Sequence, residues 1–174
     1  FQIEPREDRD PRLPIDHFFR SLAKHEGEHA VAIVLSGTGS DGTLGIVEIK
    51  GASGMTIAQD PQSAQYTGMP GSAIATKMVD YVLPPEKMSE RLQQYAQNRN
   101  TLPAEEPEAS TKPDDWLLDI LSVLRSRTGH DFASYKRSTI RRRVQRRIHV
   151  HGVNSPRDYV RYLHRAGMYH YSQK

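Results

Sequence analysis

The stretch HAVAIVLSGTGSDGTLGIVEIK, residues 29–50, decides how the first half of this chain is read. Ala30 to Leu35 is an unbroken apolar run rich in β-branched residues, the pattern of a strand buried on both faces in a parallel sheet. Gly37, Gly39 and Gly42 follow with the spacing G-x-G-x-x-G, and TLGIVEIKGAS then reads as a helix with Leu44, Ile46 and Val47 on one face. Strand, glycine turn and helix come in the order a dinucleotide-binding unit needs, and Asp60 stands near the place of its ribose-binding acid. Against that reading, Asp41 puts a carboxylate inside the turn, where it would repel a pyrophosphate. No Lys follows the last glycine, which excludes a P-loop. Two alternatives remain. The glycines can make a plain tight turn with Asp41 as the N-cap of the helix. Or Asp41, at the carboxyl end of a parallel strand, stands where such folds place their chemistry, able to fix the tautomer of a histidine. Backbone N–H groups of the turn then become candidates for an oxyanion hole.

Working outward, the flanks repeat the alternation. PIDHFFRSLAKHEGE has Ile15, Phe18, Phe19 and Leu22 at helical spacing, with Asp16 as a first-turn acid and Gly27 as the stop. MTIAQDP is a second strand ended by Pro61. A turn at Gly68 to Pro70 leads to a short helix, a third strand spans Tyr81 to Leu83, and EKMSERLQQYAQ closes with Met88, Leu92 and Tyr95 on its buried side. Alternating strands and helices predict an α/β fold, an incomplete doubly wound parallel sheet. NRNTLPAEEPEASTKP then has prolines and glutamates without apolar periodicity, the composition of a linker. Everything after it reads as a small all-α domain. Asp114 or Asp115 caps a helix with the stripe Trp116, Ile120, Val123 and Leu124; Ile140, Val144 and Ile148 are four apart; Ser155 and Pro156 start a last helix. The expected organisation is 1–98 α/β, 99–113 linker and 114–174 helical.

Composition narrows the function classes. The 174 residues contain no cysteine, which excludes a disulfide scaffold, a thiolate zinc site and a cysteine nucleophile. No apolar run approaches the roughly 20 residues of a membrane span. The opening FQIEPREDRDPRLP reads as mid-protein sequence, so the chain is expected to be an internal fragment.

The net charge of +3 hides a segregation. Residues 134–151 carry Lys136, Arg137, Arg141, Arg142, Arg143, Arg146 and Arg147 and no acid. With Ile140, Val144 and Ile148 facing inward, helical geometry sets Arg142, Arg146 and His149 opposite, Arg143 to one side, and Arg141 and Arg147 nearer the buried edge. Unopposed like charges repel by a few tenths of a kcal/mol per i,i+4 pair, so an acidic partner is expected. Nucleic acid is the weaker candidate, since no aromatic is interleaved and no DNA-binding motif is present.

Three motifs, SGTGSDG, AQDPQSAQYTGMP and GSAIATKMVDYVLP, together make residues 12–98 resemble the carboxyl-terminal half of chemotaxis protein-glutamate methylesterases, the CheB catalytic domain. The resemblance implies that Asp41 is the third member of a Ser-His-Asp triad, with Thr38 and Gly39 on the oxyanion loop. The family usually has Met where Thr38 stands, so only a backbone contribution carries over there. The triad's serine and histidine lie upstream in the family; none of Ser36, Ser40, His17, His25 or His29 sits in their context, and the fragment alone is expected to be inactive. WLLDILSVLRSRTGHDFASYKRSTIRRRVQRRIHVHGVNSPRDYVRYL resembles the amino-terminal helical domain of chemotaxis receptor methyltransferases, the CheR family. That resemblance implies docking of Arg141, Arg142, Arg143, Arg146 and Arg147 on the acidic methylation region of a receptor. It also implies S-adenosylmethionine as methyl donor, bound mainly in a following domain, whereas the esterase needs no cofactor. The two resemblances together imply a CheB–CheR fusion in cytoplasmic signal transduction, of the kind that continues into sensor and kinase domains, without nucleic acid. The rival class is a non-catalytic docking module that binds an acidic partner through the arginine helix.

Overall fold

A computed structural model describes residues 13–100, 115–132, 134–153 and 155–169. They form parts of two compact units, Phe1–Ser89 and Glu90–Lys174. In the first, helix α1 (Pro14–Glu26) passes through a 3₁₀ turn (Gly27–His29) into strand β1 (Val31–Val34). Helix α2 (Thr43–Gly51), strand β2 (Met55–Gln59), helix α3 (Gly68–Ala75) and strand β3 (Tyr81–Leu83) follow, and helix α4 starts at Pro85 and runs to Asn100. The strands are parallel in the order β1-β2-β3, with Val31 opposite Met55 and Ile57 opposite Tyr81. A helix fills each crossover, as parallel neighbours require. The expected α/β alternation is therefore present.

Burial departs from the sequence reading in two places. β1 was expected to be buried on both faces; Ala32 and Val34 are buried, but Val31 and Ile33 are only half-buried. β1 is an edge of the described sheet, whereas β2, paired on both sides, is buried at all five positions. On α2, Leu44 and Val47 are exposed and the buried face is Gly45, Ile46 and Ile49. The cause is Gly45. A Cβ there would lie 2.5 Å from Phe19 Cβ, so the missing side chain lets α1 press on that face and turns Leu44 and Val47 outward. Phe19 and Ala23 of α1 join Ala32, Val34, Ile46 and Ile49 in one core, leaving Phe18 exposed.

Asp80 locks the second crossover. Its carboxylate accepts from the Thr56 N–H at 3.0 Å, from Thr56 Oγ1 at 3.1 Å and from Lys50 Nζ, and its side chain is fully buried.

The second unit holds the last turns of α4, helix α5 (Asp115–Thr128), helix α6 (Arg137–His151) and helix α7 (Pro156–Tyr169). Leu117, Ile120, Val144, Ile148 and Tyr159 form its core; Ile120, Val144 and Ile148 are the positions the helical spacing predicts, whereas Leu117 takes the depth expected of Trp116, which packs against the core only partly buried. α6 stops at Gly152, left-handed at φ 63°, where the Gly152 and Val153 N–H groups donate to His149 and Ile148 carbonyls, a Schellman closure. α7 opens with a reciprocal cap: Ser155 Oγ accepts the Asp158 N–H at 3.1 Å and donates to Asp158 Oδ2 at 2.7 Å. Asp114 and the expected linker from residue 101 on lie outside the described residues.

Candidate active-site loop and basic helix

The glycine loop leaves the carboxyl end of β1 and is sewn to the loop after β2. The Ser36 N–H donates to Gln59 Oε1 at 2.8 Å, and Gln59 Nε2 donates to the Ser63 carbonyl at 3.0 Å. The Tyr66 N–H donates to Ser36 Oγ at 2.9 Å; the Gly37 N–H donates to the Tyr66 carbonyl and the Met69 N–H to the Gly37 carbonyl. Gln59 is a buried side chain at the end of the central strand, so its amide is the rigid post of this network. The start of α3 sits directly on the turn: a Cβ at Gly68 would lie 2.8 Å from the Gly39 nitrogen and 3.0 Å from its oxygen. Gly39 and Gly42 have φ of 80° and 91°, values that favour glycine. Two motifs separate in sequence, joined by bonds such as Ser36 to Gln59 and Tyr66 to Ser36, thus form one surface.

Asp41 does not cap α2. The N-cap of α2 is Gly42, with no side-chain bond. The Asp41 carboxylate turns instead to the first turn of α1, where Oδ2 accepts the Ile15 N–H at 3.1 Å and Oδ1 accepts the Asp16 N–H at 2.9 Å. α1 needs this. Its own N-cap is Leu13, which has no acceptor, and the first four N–H groups of a helix have no partner within it. Asp41 supplies two of the missing acceptors from 25 and 26 residues away, and the positive end of the α1 dipole favours a negative group there. A carboxylate offers about four acceptor positions; two are filled, so an imidazole N–H can still be received. Thr38 and Gly39 are exposed, and among the described residues neither backbone N–H has an acceptor. The loop therefore presents a fixed carboxylate and two available donors on one turn.

On α6 the arginines divide. Arg142 and Arg143 are exposed, and among the described residues neither has an ion-pair partner; Arg141 and Arg147 are half-buried. Arg146 and His149, expected on the outward face with Arg142, are buried. The reason is α4. Tyr95, also buried, accepts a hydrogen bond from Arg146 Nη2, and its ring lies 4.9 Å from the guanidinium carbon. Arg91 of the same helix donates to the Val150 carbonyl. A helix packed on the side opposite the apolar stripe makes α6 two-faced, which periodicity counted on apolar residues alone does not detect. A cavity of about 440 Å³ between α5, α6 and α7 is lined by Ile120, Leu124, Tyr135 and Ile140, with Arg143 and Arg147 among its walls. Among the described residues no carboxylate lines it.

Three residues escaped the sequence reading. Asp16 is the first-turn acid of α1 that the sequence predicts, but its burial and its bond from the Gly45 N–H at 2.6 Å had no signal there. Gln59 carried no signal except its place at a strand end. Tyr95 was placed on the buried side of α4, but its cationic partner lies 51 residues on. Among the described residues no group of His, Asp or Glu is arranged to hold a metal ion, and no helix is long and apolar enough to cross a membrane.

Comparison with known proteins completes the description. The family described as CheB methylesterase matches residues 1–92, and the CheR methyltransferase all-alpha domain matches residues 117–169. An uncharacterized 104.1 kDa protein from the hypE 3′ region of Rhodobacter capsulatus is 37% identical over 183 residues, covering 93% of this chain and 19% of that protein. A protein-glutamate methylesterase/protein-glutamine glutaminase of Photorhabdus laumondii is 46% identical over 81 residues, covering 47% of this chain and 23% of its own. One of Pyrococcus horikoshii is 53% identical over 79 residues, covering 45% and 22%. The crystal structure of the Thermotoga maritima CheB methylesterase catalytic domain superposes with a TM-score of 0.44 at 36% identity, covering 44% of this chain and 41% of that one. The chain spans roughly a fifth of the length of the curated relatives it matches.

Proposed function

Because the chain belongs to the CheB methylesterase family and continues into a CheR all-alpha domain, we propose that it is the junction of a bifunctional, cytoplasmic receptor-modifying protein. One activity hydrolyses glutamate methyl esters on a chemoreceptor, and the other forms them. In the first, Asp41 is the acid of a Ser-His-Asp triad whose serine and histidine come from upstream sequence. The observation that carries this role is the Asp41 carboxylate itself, held through both oxygens by the Ile15 and Asp16 N–H groups at the carboxyl end of β1. A carboxylate fixed at two points can orient a histidine ring and stabilise its imidazolium while the serine attacks. The Thr38 and Gly39 N–H groups are the oxyanion donors assigned to this turn, acting where negative charge develops on the ester carbonyl oxygen. Exposure of Thr38 is compatible with a backbone role.

The helical part docks an acidic receptor segment through Arg142 and Arg143, with Arg141 and Arg147 at the flank; the burial of Arg146 takes it out of that surface. S-adenosylmethionine is the methyl donor implied for the second activity. Among the described residues the cavity has no carboxylate for the donor's ribose, and its two guanidinium groups match only the donor's carboxylate, so the site is expected in a following domain. No step through the donor is assigned to this chain.

The test is Asp41→Asn in the polypeptide that joins this segment to its upstream sequence, assayed by methanol release from a methylated receptor. A fall in kcat of about 10⁴-fold with the fold retained is expected; near-normal turnover would remove Asp41 from the triad. Arg142→Glu with Arg143→Glu is expected to weaken receptor binding at low salt, where surface charge acts most strongly; unchanged affinity would return both residues to plain solvated surface.

A further inference from the structure

Asp16 is 4% exposed, a depth at which an aspartate needs a partner. Its Oδ1 accepts the Gly45 N–H at 2.6 Å, while its own backbone N–H donates to Asp41 Oδ1 at 2.9 Å. Gly45 is the third residue of α2, so the Asp16 carboxylate occupies that helix's N-terminus, where unpaired donors and the dipole favour a negative group. The two helices exchange carboxylates: Asp16 of α1 caps α2, and Asp41, just ahead of α2, caps α1. The exchange needs a close crossing. A Cβ at Gly45 would lie 2.5 Å from Phe19 Cβ, and one at Gly42 would lie 3.0 Å from Ile15 Cγ2.

We propose that Asp16 is a positioning residue for Asp41: anchored on the N-terminus of α2, it fixes the α1 backbone whose two N–H groups aim both oxygens of the Asp41 carboxylate. The inference rests on the assignment of Asp41 as triad acid. Asp16 touches no reacting atom and acts only through the first turn of α1. Two N–H groups set the plane of the Asp41 carboxylate as well as its place, so a shift of α1 turns the carboxylate away from the histidine it serves. A misplacement of about 1 Å costs about 10²-fold in rate.

The measurement is methyl-ester hydrolysis by the polypeptide carrying the upstream sequence, followed across pH. Asp16→Ala is expected to lower kcat by about 10- to 100-fold with KM changed by no more than about twofold. It also moves the acid limb of kcat/KM to lower pH, because a displaced Asp41 stabilises the protonated histidine less and the histidine then loses its proton more readily. Simple loss of folded enzyme scales the profile and leaves the limb in place. Asp16→Asn keeps an oxygen for the Gly45 N–H and is expected to recover most of the loss with the limb restored; failure to recover overturns the inference. Gly45→Ala reaches the same geometry from the other side, pushing α1 off α2 with Asp16 intact, and the same limb shift is expected. An unmoved limb in whichever of Asp16→Ala and Gly45→Ala folds overturns the positioning role. Asp41→Asn, measured alongside, separates the two claims: near-normal activity there overturns the triad assignment, whereas its loss together with an unmoved limb in Asp16→Ala overturns the positioning role alone.

Discussion

Arg142 and Arg146 lie four residues apart on one helix and look interchangeable in sequence, yet the structure gives them opposite environments, so substituting each in turn tests the fold of the second unit. Arg146→Ala removes a buried guanidinium that donates to Tyr95 and lies against its ring. A hydrogen bond to a charged group is worth about 1.5–3 kcal/mol, and a desolvated cation–π contact about 2 kcal/mol. The two share one side chain and do not add fully, so the expected loss is about 3 kcal/mol. Arg142→Ala, in solvent, is expected to stay within about 0.5 kcal/mol. Tyr95→Phe keeps the ring and deletes the hydroxyl, and should cost about 1–3 kcal/mol. The probe is built in: Trp116 is the only tryptophan, and it packs on the core of the second unit, so its fluorescence follows that unit. With a urea m-value of about 1.5 kcal/mol/M, Arg146→Ala moves the midpoint down by about 2 M and Arg142→Ala by no more than about 0.3 M. Coincident midpoints for the two variants would refute the burial of Arg146 and restore the single outward stripe that apolar periodicity suggests.

Three further outcomes follow from named contacts. Asp80→Ala takes the buried carboxylate from Lys50 Nζ and the Thr56 N–H, while Thr56 Oγ1 keeps the Met78 carbonyl at 2.7 Å, and is expected to destabilise the first unit by about 3–5 kcal/mol, read as loss of circular-dichroism signal at lower temperature; an unshifted transition would mean that water replaces the carboxylate. Ser155→Ala removes the cap of α7 at a cost of about 1 kcal/mol, visible through Trp116, and an unchanged midpoint would show that the cap is not formed. In Asp41→Ala the amides of Ile15 and Asp16 lose their acceptors and should exchange with solvent markedly faster; unaltered protection would place those bonds elsewhere.

Much of the architecture is written locally. The strand formed by the apolar run before the glycines, the strand-helix alternation, the stripe of Ile140, Val144 and Ile148, and the Ser155 cap depend on neighbours within one turn or one strand, and these elements are found where the sequence predicts them. Asp41 was legible as a candidate from its place at the carboxyl end of a parallel strand and from the family resemblance, because an aspartate among turn glycines is by itself an ordinary tight turn. Its immediate partners were not legible. The N-cap of α2 was the local option for Asp41, and α1 took the carboxylate instead because Leu13 leaves that helix uncapped.

Sequence alone determined which elements form, their order, and which loop carries the carboxylate, since propensity, turn chemistry and periodicity act over a few residues. The tertiary structure decided which face of α2 is buried, what the Asp16 and Asp41 carboxylates hold, and that Arg146 lies against Tyr95. Those outcomes join residues 25 to 51 positions apart. The α2 face and the two carboxylates turn on how closely α1 and α2 cross, a distance that Gly45 permits but that only packing against Phe19 sets; the burial of Arg146 turns on α4 lying against α6.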